Sequence, residues 1–331
     1  IFQEKSAYEM LKHNNRLDGP IFRGDERFFF HLVESLPDNN LSNEAQGMLP
    51  LLDKGAKIIL AKSHNEEIIK KNNSYNEMTF NSLSNLNLIY LFYSSMFQNE
   101  HNKFKYSDYT LSNELLAFNQ KENILKLDKY NLILNSANAL HALGVNNRKF
   151  YWNNTDQFFE PINYDNNANF ENKPIHLIMP ISKHYKDAIV NLENELKTID
   201  IDKLGERLQE MGLNQSSKVT KKKINLLIRN LQILKNKFEN YNPVVLQKNY
   251  KNDLSTSLLE QYFQNLKDIN LNIKLVKRNN GAFEVCAINI SCKVENFEQK
   301  DLMSLLSGNL KIEGLDYQFL GNKFENNSLI K

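Results

Sequence analysis

The chain has 331 residues, 41% of them hydrophobic and 11% aromatic, which is ample for a folded core and argues against wholesale disorder. Its 41 basic and 39 acidic side chains nearly cancel, leaving a formal net charge of +2, so composition supports neither a nucleic-acid partner nor an anionic-membrane role. No run of uncharged apolar residues is long enough to span a bilayer, so no transmembrane segment is expected.

About one residue in seven is Asn, far above ordinary usage. Lys outnumbers Arg, and Ile, Phe and Tyr take places usually held by Ala and Gly, a bias read most simply as an A/T-rich genome. It creates accidental glycosylation sequons, Asn153 and Asn289 among them, which carry no weight. Arg23-Gly24-Asp25 is treated as accidental too. The opening IFQEKSAYEM has neither an initiating Met nor a leader pattern and reads as a fragment or a processed product.

In chain order, residues 1–3 look like the end of a strand. Residues 6–13 look like a short helix, with Ser6 as cap and Glu9 at its third position in a capping box. An extended Phe-rich stretch follows from Pro20 to Phe30, then an irregular region over 36–55 punctuated by Pro and Gly. A strand is expected over 57–62. The helical spacing of Leu83, Leu86, Leu88, Ile89, Leu91, Phe92 and Met96 predicts a long, mostly buried helix over 76–98. Further helices are expected over 111–118 and 130–143, with Gly144 in the left-handed position beyond the second.

The next thirty residues are the most informative. Asn147 and Arg148 precede Lys149-Phe150-Tyr151-Trp152, an aromatic strand. Asn153-Asn154-Thr155-Asp156 is turn chemistry, and Phe158 to Tyr164 reads as the return strand, ending at Asp165. Such a hairpin brings Asn147 and Asp165 to the same end of two paired strands. An amide oxygen and a carboxylate are hard ligands suited to Mg²⁺. Protein kinases hold their metals in this way, with an Asn from the catalytic loop and an Asp after the following hairpin. The bland alternative makes Asp165 a helix N-cap.

These residues resemble the core motif of the CotH-like atypical kinases, first known from bacterial spore coats. Asn147, Phe150, Tyr151, Pro161, Ile162, Tyr164 and Asp165 match the family's Asn-aromatic strand and its Pro-Ile-x-Tyr-Asp element. The match is close over residues 130–170 and loose over 1–240. It implies a kinase-like α+β fold with a mostly helical C-lobe and an inserted β-hairpin. It also implies ATP with Mg²⁺ held by Asn147 and Asp165, a protein acceptor, and a cell-surface or spore-coat location. Arg148 would steady a phosphate through its planar fork, and Glu4 or Glu9 would pair with a lysine upstream. One departure stands out: the Asp that the family usually carries just before the Asn is replaced by the stretch His141 to Asn146, without a carboxylate. His141 is the candidate for a substitute base, the alternative being a helix-end histidine packed in the core. The competing reading is a pseudokinase scaffold acting in envelope or surface assembly. No G-x-G-x-x-G or Walker loop occurs, so an upstream N-lobe or a partner chain is expected to complete the nucleotide site.

After the hairpin, residues 175–179 read as a short strand. Helices are expected over 185–198, 201–211 and 220–240, the last with Ile224, Leu227, Ile228, Leu231, Leu234 and Phe238 on one stripe. Lys221-Lys222-Lys223 is taken as a solvated helix start. A boundary falls near 241–245, and one more helix follows over 254–267. Residues 270–325 read as a small antiparallel β appendage with a turn at Asn280-Gly281. Three segments result: 1–60, partly N-lobe-like; 61–245, a helical C-lobe; and 246–331, a helix with the appendage. Cys286 and Cys292, placed on one continuous strand, would lie roughly 20 Å apart, so a disulfide is not expected, and reduced thiols suggest a cytoplasmic setting. The seven histidines show no H-x-H or H-E-x-x-H spacing and there is no G-x-S-x-G elbow, which sets a metal or serine hydrolase aside.

Overall fold

A computed structural model describes residues 8–27, 59–71, 73–96, 110–174, 182–213, 216–239, 260, 262–264, 266–267, 271–279, 281–287 and 291–322. Glu4, Ser6, the 175–179 segment, the 241–245 boundary and Asn280 lie outside these. The fold is mixed α+β, as expected, and the chain divides into two compact units. One unit gathers Ile1–Ser107, Val145–Tyr164 and Leu246–Lys331; the other gathers Asp108–Gly144 and Asp165–Val245.

The first unit holds two sheets. Strands β1 (Ile21–Gly24), β2 (Ala61–Ser63), β3 (Lys149–Asn153) and β4 (Phe158–Ile162) form an antiparallel sheet in the order β2-β1-β3-β4. The hairpin is present as its composition predicts, with Lys149 opposite Ile162 and Asn153 opposite Phe158. Every residue of β3 is buried. Trp152 and Phe150 each pack against Phe159, and Phe22 of β1 meets the same ring edge-on. Asn153 makes the turn, its Oδ1 accepting from the Thr155 and Asp156 amides. A short helix α1 (Tyr8–His13) lays Leu11 against Ile21 and Tyr151.

The second sheet is built from β5 (Ile273–Asn279), β6 (Ala282–Ala287), β7 (Cys292–Glu295), β8 (Lys311–Ile312) and β9 (Leu315–Asn322), in the order β7-β6-β5-β9-β8. It is not purely antiparallel: β5 and β9 run parallel. The crossover that allows this contains a helix, Gln299–Leu306, that period-two patterning does not register. Gly281, at φ +87°, serves the hairpin turn between β5 and β6.

The segment expected as an appendage therefore belongs to the same unit as the hairpin. The long helix α3 (Asn73–Met96), which follows the short α2 (Glu66–Lys71), joins the two sheets. Its Asn87, fully buried, accepts from the Ala61 amide of β2 and donates to the Phe319 carbonyl of β9. Other polar residues buried in α3 satisfy themselves on the preceding turn: Thr79 donates to the Tyr75 carbonyl, Ser82 to Met78 and Ser94 to Tyr90.

The second unit is helical: α4 (Asn113–Leu116), α5 (Lys121–Ser136), a 3₁₀ turn (Leu140–Leu143), α6 (Tyr185–Lys197), α7 (Ile201–Glu210) and α8 (Ser217–Phe238). Leu132, Tyr185, Ala188, Ile189, Leu192, Leu231, Leu234 and Phe238 form its core, and the predicted stripe of α8 faces it. Asp200 and Ser216 cap α7 and α8 through the Lys203 and Val219 amides. Instead of one helix over 130–143, α5 ends at Ser136 and a separate 3₁₀ turn follows. Asn138 sits at φ +51° between them, whereas Gly144 has φ −59°. The left-handed residue is an Asn six positions before the expected Gly, since Asn tolerates that region through its short polar side chain.

The cysteines also correct the sequence reading. Cys286, next to last in β6, lies directly opposite Cys292, the first residue of β7, and the two are joined in a disulfide with Cα atoms 4.1 Å apart. The alternating run from Cys286 to Val294, read as one strand, belongs to two paired strands. The argument for reduced thiols, and for a reducing compartment built on them, falls with it. No described helix is long and apolar enough to cross a membrane.

Candidate functional site

The foot of the hairpin is held from several sides. Tyr90 of α3 donates its hydroxyl to the Val145 carbonyl at 2.8 Å; burial pushes that phenol far above its usual pKa, against the lowering influence of Arg148. Gly24 lets the same stretch pass, because a Cβ there would lie 2.5 Å from the Val145 oxygen and 2.7 Å from the Asn146 Cα. The segment is thereby fixed on its way to Asn147, which is 5% exposed.

Arg148 is 2% exposed and its guanidinium lies 4.9 Å from the centre of the Phe150 ring. A cation held this way braces the start of β3 through ring stacking. Lys149, also buried, sets its ammonium 3.2 Å from the centre of the Tyr164 ring. That contact fixes the chain just past β4, immediately before Asp165.

In the second unit, the loop that begins with Asp165 is stapled to the end of α5. The Asn169 amide donates to the Ala137 carbonyl, and the Asn138 side chain donates to the Asn169 and Asn172 carbonyls. Asn230 of α8, fully buried, donates to the Ser136 and Asn172 carbonyls. On this frame Asp165 adopts φ +44° and Asn167 φ +48°, and residues 166–174 form no helix. A left-handed non-glycine residue is not a helix N-cap, so the capping account of Asp165 fails. His141, on the 3₁₀ turn, places Nε2 3.1 Å from Asp165 Oδ2, with both side chains about half exposed. Two of the residues singled out in the sequence are thus in contact.

The others belong to the other unit. Asn147 and Arg148 lie in the first unit, two residues before β3 and at its edge, while Asp165 opens the second. Glu9 is exposed in the first turn of α1, with no ion-pair partner among the described residues. A cavity of about 650 Å³, lined by Lys12, Arg16, Asp18, Ser74, Tyr75 and Asn154 among others, opens at the turn end of the hairpin, away from Asn147.

Sequence reasoning missed a buried ionic cluster beside β1. Asp25, 1% exposed, accepts from Arg27 on both carboxylate oxygens, faces the Lys62 ammonium at 3.4 Å and accepts from Gln318 Nε2 at 3.0 Å. Arg27 continues to Asp316 of β9 at 2.9 Å. Burial pushes the Asp25 carboxyl up, but its cationic partners outweigh that and hold it below the ordinary range. Burial lowers the Lys62 ammonium, and Asp25 opposes this. The available signal was the charged run Arg23-Gly24-Asp25-Glu26-Arg27 between apolar residues, of which Arg23-Gly24-Asp25 was set aside as an accidental tripeptide.

As for metals, Asn147 and Asp165 offer oxygen donors of the hard type Mg²⁺ takes, and that ion is commonly held by one or two carboxylates together with substrate phosphates. Asp165 Oδ2 is engaged by His141, and no hydrogen bond to Oδ1 is seen among the described residues. No family model, curated protein or solved structure matches this chain.

Proposed function

We infer that this chain is a kinase-like protein that binds ATP with Mg²⁺ and transfers a phosphoryl group to a protein acceptor. The observation that carries the reading is the His141–Asp165 pair at the start of the loop after the hairpin. A metal-binding carboxylate is regularly oriented by a hydrogen-bond donor on its other oxygen. In this reading Asp165 is a metal ligand and His141 donates from Nε2 to keep it turned toward the ion; that Asn147 is its second ligand is what the resemblance to the CotH-like kinases implies. The buried, braced segment 145–149 supports it by giving Asn147 little freedom. Phosphoryl transfer asks mainly for positioning and charge neutralisation, which a fixed amide and a fixed carboxylate contribute. The mixed fold, with a β-rich unit and a helical unit, is compatible with a kinase-like division into lobes.

The second reading is a non-catalytic pseudokinase scaffold. It is favoured by one observation: residues 141–146 contain no carboxylate, and the imidazole standing in their place is engaged with Asp165. Thermal shift of the full chain with ATP, with and without Mg²⁺ or Mn²⁺, tests both. A metal-dependent rise in melting temperature that Asp165→Ala abolishes supports the nucleotide site, and labelled γ-phosphate appearing on the chain or an added protein then supports transfer. ATP binding without transfer favours the scaffold; no shift at all overturns the nucleotide reading.

A further inference from the structure

Glu284 and Cys286 alternate with Val285 along β6, so their side chains leave the same face of the strand. β7 returns antiparallel with Cys292 directly opposite Cys286. A carboxylate oxygen and two sulfur atoms consequently lie within 4.8 Å of one another. Cys286 is buried, Glu284 half-buried and Cys292 exposed, and β7 is the end strand of its sheet, so the cluster opens to solvent on one side.

We propose that reduction of the Cys286–Cys292 disulfide converts this cluster into a binding site for a thiophilic divalent cation of the Zn²⁺ type, held by two thiolates and the Glu284 carboxylate. In the reaction a dithiol gives up two electrons and two protons and becomes a disulfide, while the Cys286–Cys292 bond breaks and each sulfur takes up one proton. The cation then displaces both protons as the thiolates close on it. Three protein ligands and a water complete the tetrahedron such ions prefer. β6 and β7 are paired on one side of the cysteines through Val285 and Lys293 and on the other by the Ala287 amide, which donates to the Ser291 carbonyl, so the ligands stay gathered after the covalent bond is gone. With Cα atoms 4.1 Å apart, the thiolates can adopt the sulfur–sulfur separation of about 3.8 Å that two Zn–S bonds of about 2.3 Å impose. Lys277 of β5 lies opposite Glu284 and competes for the carboxylate, which sets an upper limit on affinity.

The test uses the full chain, oxidised or reduced with a phosphine that is then removed without air, and Co²⁺ as the probe. The reduced chain is expected to bind one Co²⁺ with a thiolate-to-cobalt charge-transfer band, lost on adding Zn²⁺, and the oxidised chain to show none. Glu284→Gln, which leaves the disulfide intact, is expected to weaken Co²⁺ binding by on the order of tenfold. No charge-transfer band in the reduced chain, or an unchanged affinity in Glu284→Gln, overturns the three-ligand site. Neither result depends on ATP binding, so this site and the proposed kinase activity stand or fall separately.

Discussion

The Cα of Gly24 faces the carbonyl oxygen of Val145 so closely that a methyl group added to it would sit 2.5 Å from that oxygen. Backbone atoms make up all three nearest contacts, so no flexible side chain can swing aside. Gly24→Ala is expected to lower stability by about 1–3 kcal/mol, the range for overpacking a close-fitted core. A urea titration measures it directly. An unchanged midpoint would mean that the 145–147 segment moves freely, and the argument that Asn147 is held in place would go with it.

Asp25 and Arg27 form the centre of an ionic cluster that ties β1 and β2 to β9. Removing the acid leaves two cations in a buried setting, so Asp25→Ala is expected to cost about 3–5 kcal/mol. The carboxyl is held below its ordinary value of 3.8. Its stabilisation is therefore complete above about pH 4 and is lost as pH falls toward the folded-state value. Acid denaturation of the wild type should include this component and the Asp25 variant should lack it. Equal steepness below pH 4 would contradict the assignment.

The His141–Asp165 pair predicts the opposite balance between stability and binding. Both side chains are about half exposed, and exposed pairs contribute about 0–1 kcal/mol. His141→Ala should leave the denaturation midpoint nearly unchanged while reducing Mg²⁺-dependent ATP binding, and His141→Gln, which keeps a donor, should recover part of it. Loss of stability without loss of metal-dependent binding would make His141 a structural residue.

The hairpin was legible because aromatic strands flanking an Asn-rich turn leave few other conformations, and its register then follows from chain length alone. The helical stripe of α8 was legible for the same reason of period. Three things were not. The disulfide was hidden because Cys286 to Val294 alternates continuously, and nothing local in the pattern marks the fold-back. The parallel pairing of β5 with β9 depends on contacts forty residues apart. The Asp25 cluster draws on Lys62, Asp316 and Gln318, remote in sequence, and a lone Asp beside a glycine does not announce them. In the site itself, residue types pointed to Asp165 and His141 separately, but their contact depends on Asn138, Asn169 and Asn230 fastening the loop. Those were lost among the many asparagines of the composition.

Asp128 on α5 carries the strongest prediction about pH. It is fully buried and its Oδ1 accepts from Asn113 at 2.7 Å, while its Oδ2 has no hydrogen bond of good geometry among the described residues. Burial raises its carboxyl from 3.8 to about 6, with Asn113 and Ser182 opposing and Glu114 adding to the rise. The folded state thus keeps the proton longer than the unfolded state, the reverse of Asp25. Below about pH 4 both states are protonated and the group is neutral toward folding. Between about pH 4 and 6 the unfolded chain loses the proton first, and stability falls by about 3 kcal/mol, the equivalent of the shift. Above about pH 6 the deficit is constant. Asp128→Asn should therefore match the wild type near pH 4 and exceed it at pH 7, as measured by urea midpoints at the two values. The windows separate the two acids, Asp25 acting below pH 4 and Asp128 above it. A wild-type midpoint that does not decline relative to Asp128→Asn between pH 4 and 7 would show that the buried carboxyl is solvated, with water supplying the partner Oδ2 lacks.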